Sequence, residues 1–495
     1  MTYISRFVIL IVPLALLGGC ALGPNYKRPA HLAPASYREP AAATRQSVTS
    51  GTLLADTPWW DVFKDPRLQG LIRTALKHNQ DLKIATARVE EARAALGIAT
   101  ADLYPQLDAS GSAARTRTAN PLRAVVPSPT NPNGVLAPAL SNSYAALLDL
   151  SYEVDLWGRV RRTRQAARAQ WLANEQDRKT VISGLVTDVA RSYFSLLELD
   201  REVEITSETL RTRQETLALM EIRRQYGTAS ELEVSRFRAE VSDTLATLAV
   251  LRQQVFQTEN ALSILLGQAP REIRRGLRFK AQPPIPSVPV GLPADLLERR
   301  PDLRSAEEQL AAATALIGAA KADFFPRIVL TADYGTQSLE LSQLLQSNSQ
   351  GWMIAGNAAQ PIFEGGRHWY NYQATKARRE EALQNYRKTV LQALREISDA
   401  LVAKQQSGVQ RHEREDQVQA LQDSVRLSHL RYRAGEASYL EFLDAERQLF
   451  TAELQLEQAR LEELLASVRL YKALGGGVDI EPKKAIAPSH RGSLK

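Results

Sequence analysis

Two long runs without proline constrain the fold of this chain more than any other feature. The chain has 495 residues and 24 prolines, yet no proline lies between Arg159 and Ala269 or between Ile362 and Glu481. Proline inside a helix removes a backbone hydrogen bond and clashes with the turn before it, so such runs favour very long helices. At 1.5 Å per residue, the stretch from Val160 to Tyr226 would extend on the order of 100 Å. Helices of this length predict an extended bundle or tube with coiled-coil-like packing.

A tandem duplication organises the chain. The heptapeptide ADLYPQL at Ala101–Leu107 recurs as ADFFPRI at Ala322–Ile328, which lies 221 residues later. Three pairs of glycines recur 208 residues apart, namely Gly158 and Gly366, Gly227 and Gly435, and Gly267 and Gly475. Each half therefore repeats one order of helix, strand pair and two long helices. Shortly after Gly227 and Gly435, a Ser stands three residues before a Glu, which predicts capping boxes at Ser230–Glu233 and Ser438–Glu441.

The predicted boundaries follow from these motifs. They are a signal peptide at 1–19, an extended arm at 20–57, repeat 1 at 58–275, a proline-rich linker at 276–290, repeat 2 at 291–476 and a tail at 477–495 that is predicted to be flexible. Repeat 1 contains a first helix, strands at about 106–117 and 143–156, and long helices at 159–226 and 230–267. Repeat 2 contains the matching helix, strands at about 326–335 and 351–360, and long helices at 365–434 and 438–475.

The segment from Tyr144 to Asp155 alternates between apolar and polar residues with a period of two, which is typical of a strand. Its apolar face carries Tyr144, Leu148, Leu150 and Tyr152, and its acidic face carries Asp149, Glu153 and Asp155. One apolar face and one acidic face favour a membrane β-barrel, with the first set facing lipid and the second facing the lumen. A half-exposed sheet in a soluble domain is also compatible with this pattern.

Each chain has only four predicted strands, because the second half supplies one strand pair like the first. The segment 120–137 between the first two strands is rich in Pro and Asn, which predicts a long exposed loop. Closed membrane barrels begin near eight strands, and an open sheet edge cannot lie in lipid. If these strands cross a membrane, the barrel must therefore be shared between subunits.

The N-terminal residues indicate export and lipid attachment. A short polar start with Arg6 is followed by the apolar run FVILIVPLALL and by the sequence LGGC, which ends at Cys20. This apolar run is too short for a typical membrane helix and indicates a signal peptide. The sequence LGGC resembles the bacterial lipobox, in which the Cys becomes the lipidated first residue of the mature chain. Ala21 follows it where an Asp would favour retention in the inner membrane, so outer-membrane sorting is expected.

Five phrases, spread from the lipobox into the second half, carry a resemblance to a known family. They are GCALGPNYKRP at 19–29, PWWDVFKDPRLQGLI at 58–72, YEVDLWGRVRR at 152–162, GLPADLLERRPDLRSAEEQL at 291–310 and PIFEGGR at 361–367. In this order they resemble the TolC-like outer membrane factors, in particular the lipoprotein branch of the OprM and NodT type that serves resistance-nodulation-division pumps.

The resemblance implies a mainly α fold with a membrane β part. Three copies would form a homotrimer, with a long α-helical barrel and a shared twelve-stranded antiparallel β-barrel to which each chain gives four strands. It implies passive export from the periplasm through the outer membrane of a Gram-negative bacterium, with a periplasmic adaptor and an inner-membrane pump as partners. It implies no cofactor other than diacylglycerol and N-acyl groups on Cys20.

The resemblance also places an aperture at the periplasmic tip, just after the tip glycine of each half. Leu440 is then a candidate for an apolar ring, Asp444 and Glu441 for an acidic ring, and Tyr432 for a tether, while the first half offers Leu232 and Glu233. Family members often carry an Arg just after the tip glycine, whereas this chain has Ala437 and Ser438 near it. The sequence therefore does not identify the contacts that hold the aperture closed.

Other function classes fit the sequence less well. The six histidines are dispersed, and no G-x-S-x-G motif, phosphate-binding loop or zinc-binding helix motif is present, so we expect no enzyme. The formal net charge is +7, but both signs are interspersed along the helices, which does not favour a nucleic-acid partner. The main alternative is a periplasmic coiled-coil lipoprotein, a scaffold or adaptor whose alternating segments form a soluble β-domain.

Overall fold

The structure of this chain is a computed structural model that describes residues 21–30, 57–128, 131–283, 285 and 299–478. The predicted signal peptide, Cys20, most of the predicted arm, part of the linker and the tail from residue 479 lie outside the described residues.

Long helices and a few strands make up the described chain. Its α-helices are α1 (Trp59–Val62), α2 (Pro66–His78), α3 (Gln80–Ala101), α4 (Arg159–Gln225), α5 (Glu231–Leu265), α6 (Pro301–Ala322), α7 (Arg367–Arg433) and α8 (Tyr439–Ala473). Its strands are β1 (Gln106–Arg117), β2 (Val125–Ser128), β3 (Asn131–Leu136), β4 (Leu140–Glu153), β5 (Arg327–Ser338) and β6 (Gln350–Ala359). The predicted fold class, mainly α with four strands in an antiparallel sheet, is confirmed.

The two halves have helices of equal length. Helices α4 and α7 each have 67 residues, and α5 and α8 each have 35 residues. Among the described residues, no helix combines the length and the apolar character that crossing a membrane requires.

The chain folds into two compact units, and each unit takes segments from both halves. The first unit contains the described residues within 90–172 and 307–384 together with residues 21–28, and it holds the four-stranded sheet. The second unit contains the described residues within 29–89, 173–306 and 385–478. Neither repeat is a compact unit alone, because a single helix and two strands cannot bury their apolar faces without the matching elements of the other repeat.

One part of the core of the second unit surrounds the buried carboxylate of Asp65. Asp65 caps α2 by accepting from the Arg67 backbone nitrogen at 2.7 Å, and Pro66 occupies the first helical position. The Tyr193 hydroxyl donates to the Asp65 Oδ2 at 3.0 Å, and Phe63 meets Tyr471 edge to face. Through these contacts the motif PWWDVFKDP packs the start of repeat 1 against α4 of the first half and α8 of the second half.

The main sheet is an antiparallel sheet with the strand order β1-β4-β5-β6. Strand β4 pairs with β1 from Leu140 to Ser151 and with β5 from Tyr144 to Glu153. From Tyr144 to Ser151, each residue of β4 therefore has one partner on β1 and another on β5. Strands β1 and β6 are the edges of this sheet, and among the described residues each pairs along one side only.

One expectation about the β segments is confirmed only in part, and another is wrong. The segment 120–137 is mostly exposed, as predicted, but it is not only a loop, because β2 and β3 form a hairpin of their own in which Val126 lies opposite Val135. Each of these short strands contains a proline, which concealed it in the sequence pattern. Asp155 is not a strand residue, since β4 ends at Glu153 and the Asp155 carboxylate accepts hydrogen bonds from the Val160 and Arg161 backbone nitrogens at the start of α4.

Candidate functional site

The acidic face of the sheet carries three aspartates in register. Asp149 on β4 lies directly opposite Asp108 on β1 and directly opposite Asp333 on β5. Residues directly opposite each other in an antiparallel pair point to the same face, so the three carboxylates form an acidic row across three strands. Like charges in this arrangement repel each other unless solvent or a counter-ion screens them. The row therefore suits a water-filled surface that attracts cations.

Partners of the three predicted lumen-facing acids differ. Asp149 accepts a hydrogen bond from the Ser110 hydroxyl at 2.6 Å and stays in the acidic row. Glu153 receives two hydrogen bonds from the Arg159 guanidinium, at 2.9 and 2.7 Å, so its charge is paired. Asp155 caps α4 and also accepts from the Arg161 Nε at 3.2 Å. Of the three acids, only Asp149 therefore presents a strand carboxylate without a cationic partner of this kind.

The opposite face of the sheet is apolar and exposed. Leu148 lies opposite Tyr334, and Tyr334 lies opposite Trp352, so large apolar side chains form a band across β4, β5 and β6. Trp352 is 75% exposed. Among the predicted lipid-facing residues, Leu148 and Leu150 are exposed, and Tyr144 and Tyr152 are half-buried. A contiguous exposed band of large apolar side chains marks a surface that a membrane or another protein covers.

The second candidate site lies in the second unit, where each half forms a helical hairpin that turns at a glycine. At the first tip, Gly227 has a φ of +72° and the Thr228 nitrogen donates to the Arg223 carbonyl. At the second tip, Gly435 has a φ of +77° and the Glu436 nitrogen donates to the Arg431 carbonyl. Glycine adopts this left-handed conformation without strain, and the hydrogen bond closes the helix end. The two tips therefore have the same backbone geometry.

The capping boxes differ between the two tips. At the first tip, the Glu233 nitrogen donates to the Ser230 hydroxyl at 3.2 Å, and the Ser230 nitrogen donates to the Glu233 carboxylate at 2.6 Å. The predicted capping box at Ser438 is wrong, because its side chain makes no capping hydrogen bond. The Glu441 carboxylate instead accepts from the Arg431 guanidinium at 2.6 Å. An ion pair across the hairpin thus replaces the cap.

An aromatic cluster joins the two tips within one chain. Its buried members are Met220, Val234, Phe237, Tyr439, Phe442 and Leu443, and Tyr432 packs against them. The Tyr439 ring lies 4.4 Å from that of Phe237 and 5.4 Å from that of Tyr432. Burial raises the pKa of the Tyr439 hydroxyl, so this group stays neutral. The cluster fixes the α4–α5 hairpin against the α7–α8 hairpin.

One hydrogen bond on the surface of this cluster also links the two tips. The Arg223 guanidinium on α4 donates to the Tyr432 hydroxyl on α7 at 3.0 Å. Arg223 is the counterpart of Arg431, which lies 208 residues later and pairs with Glu441. Because Glu233 caps its own helix, Arg223 remains available for the other tip.

The remaining predicted aperture residues lie on the exposed surface. Leu440 is 48% exposed and Leu232, its counterpart 208 residues earlier, is 60% exposed. Asp444 lies one helical turn after Leu440 and accepts a hydrogen bond from the Gln448 side chain at 2.6 Å. The structure thus brings Tyr432 and Glu441 into contacts and leaves Leu440, Asp444 and Leu232 facing outward.

A buried arginine behind the tips was missed by sequence reasoning. Arg213 on α4 is 4% exposed, and its guanidinium donates to the Thr244 hydroxyl at 2.7 Å and meets the Glu240 carboxylate at 3.0 Å. It also lies over the Phe450 ring of α8. Nearby, burial raises the pKa of Glu446 to about 7, which Arg213 opposes and Glu240 reinforces. An isolated Arg in a charged helix carries no signal of this role in the sequence.

Asp108, Asp333 and Arg223 were missed as well. The register of β1, β4 and β5 brings the two aspartates beside Asp149, and strand register was not part of the prediction. Among the described residues, no group of His, Cys, Asp and Glu side chains is arranged to hold a metal ion.

Comparisons with known proteins agree with this geometry. The model of the outer membrane efflux protein family matches the chain twice, over residues 71–268 and 292–476. The probable efflux pump outer membrane protein TtgC of Pseudomonas putida is 37% identical over 471 residues, which are 94% of this chain and 95% of that protein. The probable outer membrane lipoprotein SilC of Salmonella typhimurium is 32% identical over 474 residues, which are 94% of this chain and 98% of that protein.

A solved structure has the same fold. The crystal structure of the CmeC outer membrane channel of Campylobacter jejuni matches with a TM-score of 0.84 at 28% identity, over 94% of this chain and 96% of that chain. The likeness extends over nearly the whole of both chains, so it includes both the long helices and the sheet.

Proposed function

Because this chain belongs to the outer membrane efflux protein family, we propose that it is the outer-membrane exit duct of a tripartite efflux system. Small molecules would pass through it from the periplasm to the exterior, without catalysis by this chain. The observation that carries the proposal is a four-stranded sheet with an exposed apolar band on one face and the acidic row on the other. Lipid outside and water inside would satisfy both faces.

The open edges of the sheet support a barrel that several copies close together, and the number that we propose is three, as the family resemblance implies. Strands β1 and β6 are the edge strands of the described sheet, and an unpaired edge cannot lie in the hydrocarbon region. If β6 of one copy pairs with β1 of the next, three copies close a twelve-stranded barrel without an edge. The barrel would then be a property of the trimer rather than of the chain.

The tips support an aperture at the periplasmic end. In a trimer six tips would converge, with Leu440 and Leu232 supplying apolar contacts and Asp444 a ring of carboxylates. Glu441 and Glu233 are bound within their own hairpins, to Arg431 and Ser230, so we assign them to holding the tip geometry. Tyr432 would act as the tether between neighbouring hairpins through Arg223. Opening would require the tips to separate, which docking of a partner could drive.

We assign lipid attachment to Cys20 on the sequence LGGC. The lipid would consist of a diacylglycerol and an N-acyl group, and SilC, a relative named as a lipoprotein, supports this assignment. The partners would be a periplasmic adaptor and an inner-membrane pump of the resistance-nodulation-division type. Relatives are named for toluene, solvent and antibiotic efflux, so we propose small organic molecules as the class of substrate.

Membrane extraction tests this proposal against a lipid-anchored scaffold. Wild-type protein and a Cys20→Ser variant are expressed, the variant with a cleavable signal peptide that has no lipobox so that it is exported without the lipid, and their outer membranes are washed with sodium carbonate. We expect the assembled trimers of both proteins to resist extraction, because the strands and not the lipid hold a trimer in the membrane once it has formed. The lipid would then affect only the amount of protein that assembles. Release of the Cys20→Ser variant by carbonate would favour the scaffold and refute the barrel.

A further inference from the structure

The residues that follow Cys20 lie in a pocket of the first unit that is lined by a buried arginine and by glycines. The Arg162 guanidinium, which is 4% exposed, donates to the Leu22 carbonyl at 3.1 Å and to the Asn25 side-chain oxygen at 2.9 Å. It also reaches the carbonyls of Ala21 and Gly23, at 3.3 and 3.4 Å. A buried guanidinium needs acceptors, and here the backbone of the N-terminal segment supplies most of them. Residues 21–28 are the described start of the predicted arm, and from here on the arm means these eight residues.

Glycines bring the arm close to the rest of this pocket. A methyl group at Gly318 on α6 would lie 2.5 Å from the Leu22 carbonyl oxygen, and one at Gly158 would lie 2.7 Å from the Ala21 Cα. Gly23 has a φ of +91°, and a methyl group there would lie 2.4 Å from the Gly318 Cα. Only glycine at each of these positions permits such close backbone contact. We call Arg162, Gly158 and Gly318 the arm pocket.

The pocket connects the arm to the ends of the two central strands. The Leu22 nitrogen donates to the Trp157 carbonyl at 3.0 Å, just after β4 ends. The Trp157 indole nitrogen donates to the Pro326 carbonyl at 2.9 Å, just before β5 begins, and its ring stacks on Phe325. At the other end of the arm, the Arg28 guanidinium pairs with Glu307 at 2.7 and 2.8 Å. The arm is thus fixed at both ends.

The duplication supplies an internal comparison. The counterpart of Gly318 is Gly97, which lies 221 residues earlier, and the counterpart of Arg162 is Tyr370, which lies 208 residues later. A methyl group at Gly97 would meet no described atom within 4 Å, and Tyr370 is 71% exposed. Of the two equivalent positions, only that of repeat 2 holds the arm, with an arginine that repeat 1 contributes. The pocket is therefore a specialised site and not a general property of the fold.

We propose that the arm pocket is the receptor for the chain's own lipidated N-terminus and fixes the lipid anchor at the helix-side end of the barrel strands. The proposal rests on the lipidation and the barrel proposed above. Cys20 is one residue from Ala21, so a docked arm holds the anchor within about 4 Å of the pocket. If the arm of eight residues were free, its root-mean-square end-to-end distance would be roughly 15 Å, and the anchor could move over that range. Docking places the acyl chains in the leaflet where the strands end on the periplasmic side.

Matched variants of the full chain, purified from outer membranes in detergent, test whether the pocket holds the arm. Gly318→Ala and Arg162→Ala disturb the pocket, whereas Gly97→Ala and Arg164→Ala alter the equivalent glycine and an exposed arginine two residues from Arg162. Hydrogen exchange is followed by mass spectrometry in fragments that cover the arm. Loss of hydrogen bonds to a charged group predicts exchange at least about tenfold faster in the first two variants. The controls should match the wild type, and equal exchange in all variants would refute docking.

A second measurement tests the role of the pocket in positioning. Acylation of Cys20 is checked by mass spectrometry, and the amount of carbonate-resistant protein in the outer membrane is compared between variants. We expect Gly318→Ala and Arg162→Ala to be acylated normally but to yield several-fold less resistant protein than their controls. Faster arm exchange with undiminished assembly would refute the positioning role.

The outcomes also separate this inference from the proposed function. Absence of acyl groups on wild-type Cys20 would refute lipidation, while exchange in the arm would still report whether the pocket holds it. Arg162→Lys keeps the charge but loses the planar fork, and we expect an intermediate exchange rate. Unchanged exchange in the strands β1, β4, β5 and β6, which belong to the same unit as the pocket, verifies that each variant is folded there, and if Arg162→Ala fails this check, Gly318→Ala and Arg162→Lys decide.

Discussion

Replacing Glu446 by Gln should remove a pH dependence from the stability of the tips. Burial raises the pKa of Glu446 to about 7 in the folded chain, from an ordinary value of 4.5. A raised pKa in a carboxyl group means that the folded state favours the protonated form. The stabilisation is fully present below pH 4.5 and is lost as the pH rises through about 7. Wild-type tips should therefore be less stable at pH 8 than at pH 5.

The size of the effect follows from the shift in pKa. One pKa unit corresponds to about 1.4 kcal/mol, so the shift corresponds to about 3 kcal/mol at most. Glu446 is half-buried, and solvent screening at such a site reduces this to about 1–3 kcal/mol. Glu446→Gln has no charge at any pH, so the variant should gain that amount relative to the wild type at pH 8 and little at pH 4.5.

Hydrogen exchange of the α7–α8 tip, measured from pH 5 to 8 and corrected for intrinsic rates, measures this effect. Glu436→Gln is the matched control, because Glu436 is exposed and lies ten residues away in the same tip. Burial also raises the pKa of Glu198, to about 9, so only the difference between variant and wild type is informative. An identical pH slope in Glu446→Gln and the wild type would refute the reasoning.

Three further predictions concern the buried Arg213 behind the tips and the two faces of the sheet. Arg213→Ala should destabilise the tips by about 2–4 kcal/mol, since it removes the buried partner of Glu240 and leaves only Arg447, at 3.5 Å, beside that carboxylate. Arg238→Ala, at an exposed arginine, should change thermal unfolding little. Leu148→Arg should cost about 2–4 kcal/mol in the membrane and reduce barrel assembly, and Leu147→Arg, on the opposite face, should assemble normally. Asp333→Asn should lower the cation selectivity of the channel, while Thr331→Val, two residues away on the same face of β5, removes no charge and should not; equal selectivity in both would contradict the role of the acidic row.

The long helices and the main strands could be predicted because their signals are local. Freedom from proline determines where a long helix can run, and the period-two alternation from Tyr144 specifies which side chains share a face of β4. The glycine turns at Gly227 and Gly435 follow from a conformation that other residues adopt only with strain. These features depend on neighbouring residues along the chain, so one sequence is enough to find them.

Other features depend on contacts between distant residues. Ser438 has the sequence of a capping box, but Arg431 competes for Glu441 and forms an ion pair instead. Asp155 continues the alternation of β4, yet the free nitrogens of α4 bind it. The pairing of Arg223 with Tyr432, over 209 residues, and the burial of Arg162 under the arm need the folded chain. Such competition between partners leaves no trace in local spacing.

Single-channel conductance of the purified protein in a planar bilayer tests the central claim most directly. The wild type should give discrete, cation-selective current steps. Loss of the hydrogen bond from Arg223 in Tyr432→Phe should increase the open fraction. Asp444→Ala should reduce the cation selectivity, because it removes the proposed carboxylate ring. Absence of current steps would contradict a channel, and unchanged conductance and selectivity in both variants would contradict an aperture at the tips.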